Sequence, residues 1–454
     1  MMHHVTARRV ARRAAAAALA LGLGALGGCN DFLTAENPGA IKTEDLTDPR
    51  YISALANTGQ MGFQNAQDDV IYWTGQFVDE LRNTAVFAEE GKIDRRELFS
   101  DMTYLNAFTY GPMQTARFLA EDASSRLIRI LGDSAGRDVR VARNLAYAGY
   151  SYVYLAEMMC VTPINRGVPK TSAEMFGDAI AKFDSTIAIA TAARAFAQAQ
   201  VPVNATLSAV ADSIRFFALV GAARAALNRD ELARAIGYAT QVPANFVWRE
   251  WYSENTTGQR HRVYDRLQLG SNAVLTSTPF AAMTTDPRVP RFTSPAAIAG
   301  KPLSPPSYTT YNDSLGNSAG RFAAVMGHRI ASGLETRYVI AEASLRGGTG
   351  TGAMTDAQVL AFLNERRTAG RQTALPAGTT RDAMLVELRD QRSRDFYLDG
   401  HRLGDLRRYR EFHGVDLFPK GPYPGSTTGQ VYNETVFCWP LPTTELNDNP
   451  NAGG

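Results

Sequence analysis

Three short clusters pair aromatic rings with polar side chains. Trp248-x-x-Trp251-Tyr252 is followed by Glu254 and Asn255; Trp73 is followed by Asp79, Glu80 and Arg82; Tyr308 and Tyr311 stand beside Asn312. Such groupings suit polyhydroxylated ligands: a ring stacks on the apolar C–H face of a sugar while amide, carboxylate and guanidinium groups bond its hydroxyls. The competing reading is that these rings are core residues, because tryptophan is highly buried on average. Both readings stand at this level, and the ligand surface is expected in the segments that carry the clusters.

Catalytic motifs find less support. Residues 132–136 and 316–320 both fit Gly-x-Ser-x-Gly. That chemistry needs the serine on a strained strand-to-helix turn. The first instead joins two helical patterns, and the second follows a polar run. The glycines at 347–352 follow a helical pattern rather than a strand, which argues against a phosphate cradle. The six histidines include no paired-histidine helical motif, so no metal site is expected. Carboxylates are plentiful, but a glycosidase needs two facing across a cleft at a set separation.

The elements that must position these residues are mostly helices. In residues 137–159, Val141, Leu145, Ala148, Tyr152, Leu155 and Met159 form one apolar stripe. Ala142, Ala146, Gly149, Val153 and Ala156 form a second, of small residues. Two stripes predict a helix buried between neighbours that approach closely. Thr171-x-x-Glu174 is a capping box ahead of Phe176, Ile180, Phe183 and Ile187. Leu207, Val210, Ile214, Phe217 and Gly221 form the returning helix, and Leu232, Ile236 and Ala239 open a third hairpin. Helices are expected near 137–159, 173–191, 206–227, 328–346 and 381–399. Thr379 with Asp382 reads as the start of the last, and Asp399-Gly400 as its stop. Between residues 381 and 411, eight arginines interleave with seven carboxylates, which favours ion pairs between helices over a phosphate-binding stripe. Residues 242–326, rich in Ser, Thr, Pro and Gly, lose helical periodicity; a stretch this long in a helical protein is more often functional than idle.

The N-terminus reads as a targeting segment. Arg8, Arg9, Arg12 and Arg13 precede an apolar run of 13 residues, too short to span a bilayer comfortably. The arginine pairs also admit twin-arginine export. The run ends in Leu26-Gly27-Gly28-Cys29, which resembles a bacterial lipobox and implies lipidation of Cys29. Removing residues 1–28 removes four arginines and no acids, taking the formal charge from +2 to −2. A near-neutral chain gives no support to nucleic-acid binding. Of the other cysteines, Cys160 closes an apolar helix, where a small buried thiol is the expected reading. A disulfide with Cys438 stays open.

The C-terminal pattern Arg392-x-Arg394-Asp395-Phe396-x-x-Asp399-Gly400-x-Arg402-x-x-Asp405-Leu406-x-Arg408 resembles the signature of the SusD/RagB family of outer-membrane nutrient-binding lipoproteins. That family usually has glutamate at the positions of Gln391, Asp395 and Asp399, a change expected to alter pairing detail more than fold. Three further blocks resemble the family: Arg337-Tyr338 through Ala341-Glu342-Ala343; Leu363-Asn364 through Arg366 and Ala369-Gly370; and Pro440-x-Pro442 through Glu445-Leu446 to Asn449-Pro450-Asn451. The resemblance implies an all-α fold of tetratricopeptide-like hairpins with a loop-rich, irregular face. It implies a signal peptide at 1–28, a tether at 29–42 and one domain at 43–454. Within that domain, 43–241 and 327–413 are expected to be helical, 242–326 a loop-rich insertion and 414–454 coil. It further implies a non-catalytic, cofactor-free protein, lipid-anchored in the outer membrane. Such a protein captures an oligosaccharide or peptide for a SusC-like TonB-dependent receptor. Six lysines against 41 arginines suggest a GC-rich genome, outside the setting in which the glycan role is best known. A protein-binding repeat scaffold and an all-helical glycosidase are the rival expectations.

Overall fold

The computed structural model describes residues 47–83, 88–256, 259–263, 274–276, 278–283, 285–289, 327–424, 426 and 428–452. The leader, Cys29, the tether, Tyr308 and Tyr311 lie outside them. The chain forms two compact units, Met1–Tyr51 and Ile52–Gly454. In the first, Pro49–Tyr51 is a 3-10 turn, and Arg50 pairs with Asp48 at 3.0 Å.

The second unit is built of helices packed on their sequence neighbours. α1 (Ile52–Phe77) packs on α3 (Gly111–Leu131) and α4 (Val139–Met158); α2 (Ala88–Asp94) lies between α1 and α3 in sequence. α4 also packs on α5 (Ser172–Gln198), which packs on α6 (Ala205–Leu227). The two-stripe reading of α4 holds, with Leu145 half-buried and the other stripe residues buried. The small residues act as expected. A Cβ at Gly149 would meet the Phe183 ring at 2.6 Å, and one at Gly221 would meet the same ring at 2.3 Å. Phe183 of α5 is thus wedged between two helices that only glycine lets close.

α7 (Leu232–Ala239) packs on α6 and also on a helix far along the chain, α9 (Gly333–Leu345). α8 (Thr278–Ala281) lies between α7 and α9 in sequence. α10 (Asp356–Ala369) packs with α11 (Arg381–Asp395); α12 (Arg402–Phe412) returns to α1 and α4; α13 (Thr443–Asp448) is a short final turn. The strands among the described residues form three two-stranded ribbons. β1 (Leu81–Asn83) pairs with β5 (Val274–Thr276), β2 (Val161–Thr162) with β3 (Lys170–Thr171), and β4 (Val247–Trp251) with β6 (Gly327–Ser332), all antiparallel.

Several boundaries differ from the expectation. The helix expected from 328 starts at Gly333. Residues 327–332 are strand, and extended Ser332 caps the helix by accepting from the Glu335 N–H at 3.2 Å. Thr380 rather than Thr379 caps α11, taking the extended backbone a cap needs, while the Thr379 hydroxyl donates to the Pro376 carbonyl. α11 stops at Asp395 because the chain turns through Leu398 (φ 52°) and Gly400 (φ 77°). The left-handed Leu398 is held by its N–H donating to Glu80 Oε1 at 2.8 Å. The Thr171–Glu174 capping box forms as read.

Cys160 and Cys438 are disulfide-bonded, correcting the buried-thiol expectation: Cys160 is exposed, just past the end of α4. Backbone bonds Cys160 N to Trp439 O and Trp439 N to Met158 O, both 2.9 Å, bring the two segments together. The interleaved C-terminal charges do pair between helices. Arg408 bonds Glu342 of α9 at 2.7 Å, and Arg392 bonds Asp405 at 2.7 Å. Burial pushes Asp405 up, but Arg392 and Arg408 outweigh it and hold the carboxyl at about 2. Gln391, in place of the acid, accepts from Arg288 at 2.8 Å.

Candidate ligand-binding surface

β4 alternates because one of its faces lies on the helices. Trp248 and Glu250 turn inward, and Val247 and Trp251 remain exposed. Trp248 stacks on Phe217 of α6 with centroids 4.4 Å apart and planes 9° off parallel. Its Nε1–H donates to Tyr147 Oη at 3.2 Å and to Glu250 Oε1 at 3.1 Å. The Tyr147 hydroxyl also donates to Glu250, and Gln60 Nε2 of α1 donates to the other carboxylate oxygen at 2.9 Å. Burial raises the Glu250 carboxyl above its ordinary range. Trp248 is therefore committed to packing, half-buried against the helices.

Trp251 is the opposite case, 60% exposed. Its carbonyl accepts from Gln64 of α1, and its ring lies over Gly327, where a Cβ would come within 3.0 Å. Beside it α1 turns outward Asn57, Met61 and Asn65, with Gln60 and Gln64 half-buried on the strand side. Asn57, Gln60 and Gln64 recur three and four residues apart, so they share one helix face, and Asn65 lies at its edge. The exposed indole provides a stacking plane and the outward amides Asn57 and Asn65 provide hydroxyl partners, while Gln60 and Gln64 already donate to Glu250 and to the Trp251 carbonyl. Glu254 and Asn255 follow, exposed, in a loop closed by Ser253 N to Gln259 O at 2.9 Å.

Tyr252 faces inward and is buried. Its hydroxyl reaches Gln67 Oε1 at 3.3 Å, and its ring meets His261 edge-on at 4.8 Å. His261 stacks on His328 at 5.2 Å, and burial, with His328 next, holds His261 well below the usual histidine range. Arg262 anchors this return of the loop through its N–H to Asp68 at 2.8 Å and its guanidinium to Asp69 at 3.1 Å. Burial and then Asp69 push the Asp68 carboxyl up to about 8.

The Trp73 cluster divides. Trp73 has no exposed surface and packs against Tyr72, Tyr104 and Phe108, so it belongs to the core and not to a ligand surface. It shares the inward stripe of α1 with Ala66, Val70 and Phe77, which spacing alone did not separate from a functional ring. Asp79 is held bidentately by Arg402 at 2.7 and 2.6 Å. Glu80 is buried, pushed up to about 8 by that burial. Arg82 lies over the Tyr423 ring at 5.5 Å. Tyr423 sits edge-on to Tyr432 at 5.4 Å in a C-terminal hairpin that the sequence reading took as coil. Only the positive-φ glycines Gly421 and Gly429, each just ahead of one of those tyrosines, could have signalled it.

Two cavities lie elsewhere. One, of about 260 Å³, lies among the ends of α4, α5 and α12 beside Arg407; the other, of about 530 Å³, lies beside Tyr110 and Glu445. Among the described residues no group of three His, Cys, Asp or Glu side chains converges as a metal site would require.

No family model and no curated protein sequence matches the chain. Solved structures do. A SusD superfamily protein from Bacteroides fragilis aligns over 89% of this chain and 99% of its own, with a TM-score of 0.59 at 13% identity. The protein has the SusD fold. The same fold is shared with a SusD-like carbohydrate-binding protein from Bacteroides vulgatus (TM-score 0.58, 12% identity, 88% of this chain and 97% of that one). It is shared as well with surface glycan-binding protein A from Bacteroides uniformis (0.58, 13%, 88% and 98%). The SusD fold is built of tetratricopeptide-like hairpins, and here the paired helices from α3 to α7 supply them.

Proposed function

We propose that the protein is a non-catalytic, lipid-anchored surface binder. It captures an oligomeric ligand, an oligosaccharide in preference to a peptide, and passes it to a TonB-dependent receptor of the SusC type in the outer membrane. The observation that carries this reading is Trp251, an exposed indole flanked by the amide face of α1. Exposed rings beside convergent polar groups are what sugar recognition needs. Structures sharing the fold include proteins described as carbohydrate- or glycan-binding, which favours sugar over peptide. Glu250, next to Trp251 in sequence but turned inward, is already engaged by Tyr147, Trp248 and Gln60, which favours binding over acid catalysis there. Anchoring rests on the Cys29 lipobox, and the Cys160–Cys438 disulfide suits an oxidising, exported location. Tyr308 and Tyr311 remain candidate contacts in the same loop-rich segment.

Titration of the purified protein against glycan and peptide panels, with product analysis, tests the reading. Removing a stacking ring commonly weakens binding roughly 5- to 150-fold, and Trp251→Ala should do so while the protein stays folded. Trp73→Ala should instead lower stability by about 3–5 kcal/mol through core loss. Turnover of a glycan, or Trp251→Ala binding like wild type, would defeat the proposal. For the anchor, Cys29→Ser should release the protein from the membrane fraction; unchanged attachment would refute lipidation.

A further inference from the structure

α5 and α6 meet in a hairpin that carries no charged residue between Arg194 and Asp212. At its tip Val201 is 98% exposed and Val203 57%, with Pro202 open between them. Phe196, in the last turn of α5, is 41% exposed. The tip is held in shape: the Asn204 N–H donates to the Ala197 carbonyl at 3.1 Å, and the Asn204 side chain caps α6 by accepting from the Leu207 N–H at 3.0 Å. Scattered exposed apolar side chains need no explanation, but a contiguous, uncharged group of them marks a contact surface.

Two observations say what covers this one. The first is the order of chemistry along the hairpin. Behind the apolar tip, Arg137 lies over the Phe196 ring at 4.4 Å, and Arg194 pairs with Asp212 at 2.9 Å. An apolar end backed by an aromatic ring and then by arginines matches the layering of a bilayer surface, where arginine keeps to the headgroups.

The second is where the tether enters. Ala190 of α5 packs with Ala142 of α4 and Ile214 of α6. From that level α5 runs on for eight residues to Gln198, a rise of about 12 Å, whereas α4 begins only three residues, about 4.5 Å, before Ala142. The hairpin therefore overhangs the start of α4. Ile52, the first residue of α1, packs at this same end with Leu55, Val141 and Ile189. Residues 30–51 join Ile52 to Cys29, and 22 residues of chain reach at most about 70–80 Å. Such a tether limits the distance from the membrane but leaves the orientation of the domain free.

We propose that the α5–α6 tip is a second membrane contact, in which Phe196, Val201, Pro202 and Val203 enter the interfacial layer of the bilayer that holds Cys29. The inference rests on the lipid-anchored reading and adds an orientation to it. α1 leads away from this end. Gln64, which donates to the Trp251 carbonyl, lies 12 residues past Ile52, a rise of about 18 Å. With the tip down, the exposed indole stands off the bilayer and open to ligand.

The test puts a fluorophore on the tip of the full mature lipoprotein. With Cys29 acylated and Cys160 bonded to Cys438, Val201→Cys supplies the free thiol. Val386→Cys, at a position 59% exposed on α11, is the reference. Each labelled protein is reconstituted into vesicles of phosphatidylethanolamine and phosphatidylglycerol with no other protein present. The Val201 label should lose most of its quenching by acrylamide on reconstitution, the Val386 label should keep it, and Val203→Asp should restore quenching at Val201. Equal quenching of the two labels, or shielding that survives Val203→Asp, overturns the inference. Shielding that appears only when a TonB-dependent receptor is added overturns it in favour of a protein partner. Shielding already present in the soluble Cys29→Ser form overturns it in favour of a second copy of the chain. If the mature protein does not stay on the vesicles, the anchoring reading and this inference fall together; if it stays and Val201 remains quenched, only this inference falls.

Discussion

Gly221→Ala tests whether the close packing of α4, α5 and α6 is what fixes the helical framework. In an unconstrained helix the change should stabilise by about 1 kcal/mol, because glycine has the poorer helix propensity. Here the new methyl would lie 2.3 Å from Phe183 Cζ and 2.7–2.8 Å from its two neighbouring ring carbons. The ring has little room to swing away, because it lies so close to Gly149 that an added Cβ there would meet it at 2.6 Å, and Tyr150 packs edge-on at 5.1 Å. Overpacking of this kind costs about 1–3 kcal/mol, and a ring pinned on both sides belongs at the upper end. The net expectation is a loss of about 1–2 kcal/mol, read from the denaturant midpoint by far-UV circular dichroism. Phe183→Leu in the Gly221→Ala background should lose less than Phe183→Leu does alone, because the smaller side chain makes room for the methyl. A non-additive energy of about 0.5 kcal/mol or more in that cycle would mark the contact. If Gly221→Ala instead stabilises the protein by its helix-propensity gain, the wedge does not hold the helices at this separation and the packing argument is wrong.

Two other expectations concern covalent and ionic links. The Cys160–Cys438 disulfide joins residues 278 apart, and in the loop-entropy account a loop of that length is worth about 5–6 kcal/mol. The double Cys→Ser variant should lose that stability in denaturant unfolding; a loss under about 1 kcal/mol would show that the backbone pairing at Trp439 suffices. Glu80 keeps its proton to about pH 8 in the folded chain, against an ordinary value of 4.5. Its contribution is fully present below the ordinary value and falls as pH rises toward the folded value, by about 1.4 kcal/mol per pH unit. Glu80→Gln keeps an acceptor for the Leu398 N–H and has no proton to lose, so it should gain on wild type as pH rises through that range. Parallel stability–pH profiles would refute the assignment.

Period and punctuation carried much of this protein. The paired stripes of 137–159, the capping box at Thr171 and the glycines at 149 and 221 are local signals. A helix three or four residues per turn has to show its buried faces in sequence, and a close crossing has to show small residues. The interleaved charges of the last helices announced ion pairs in the same way. Pairings between distant segments were not legible there. Nothing local in residues 327–332 distinguishes a strand from the first turn of the next helix until Val247–Trp251 lies beside it. Nothing local joins Cys160 to Cys438, or brings α9 onto α7. The candidate site divides along the same line. Trp73, Trp248 and Trp251 are the same residue type in similar company, yet one is core, one is stacked on Phe217 and one faces solvent. A side chain's exposure depends on which other elements arrive to cover it, and that is decided only when the chain has folded.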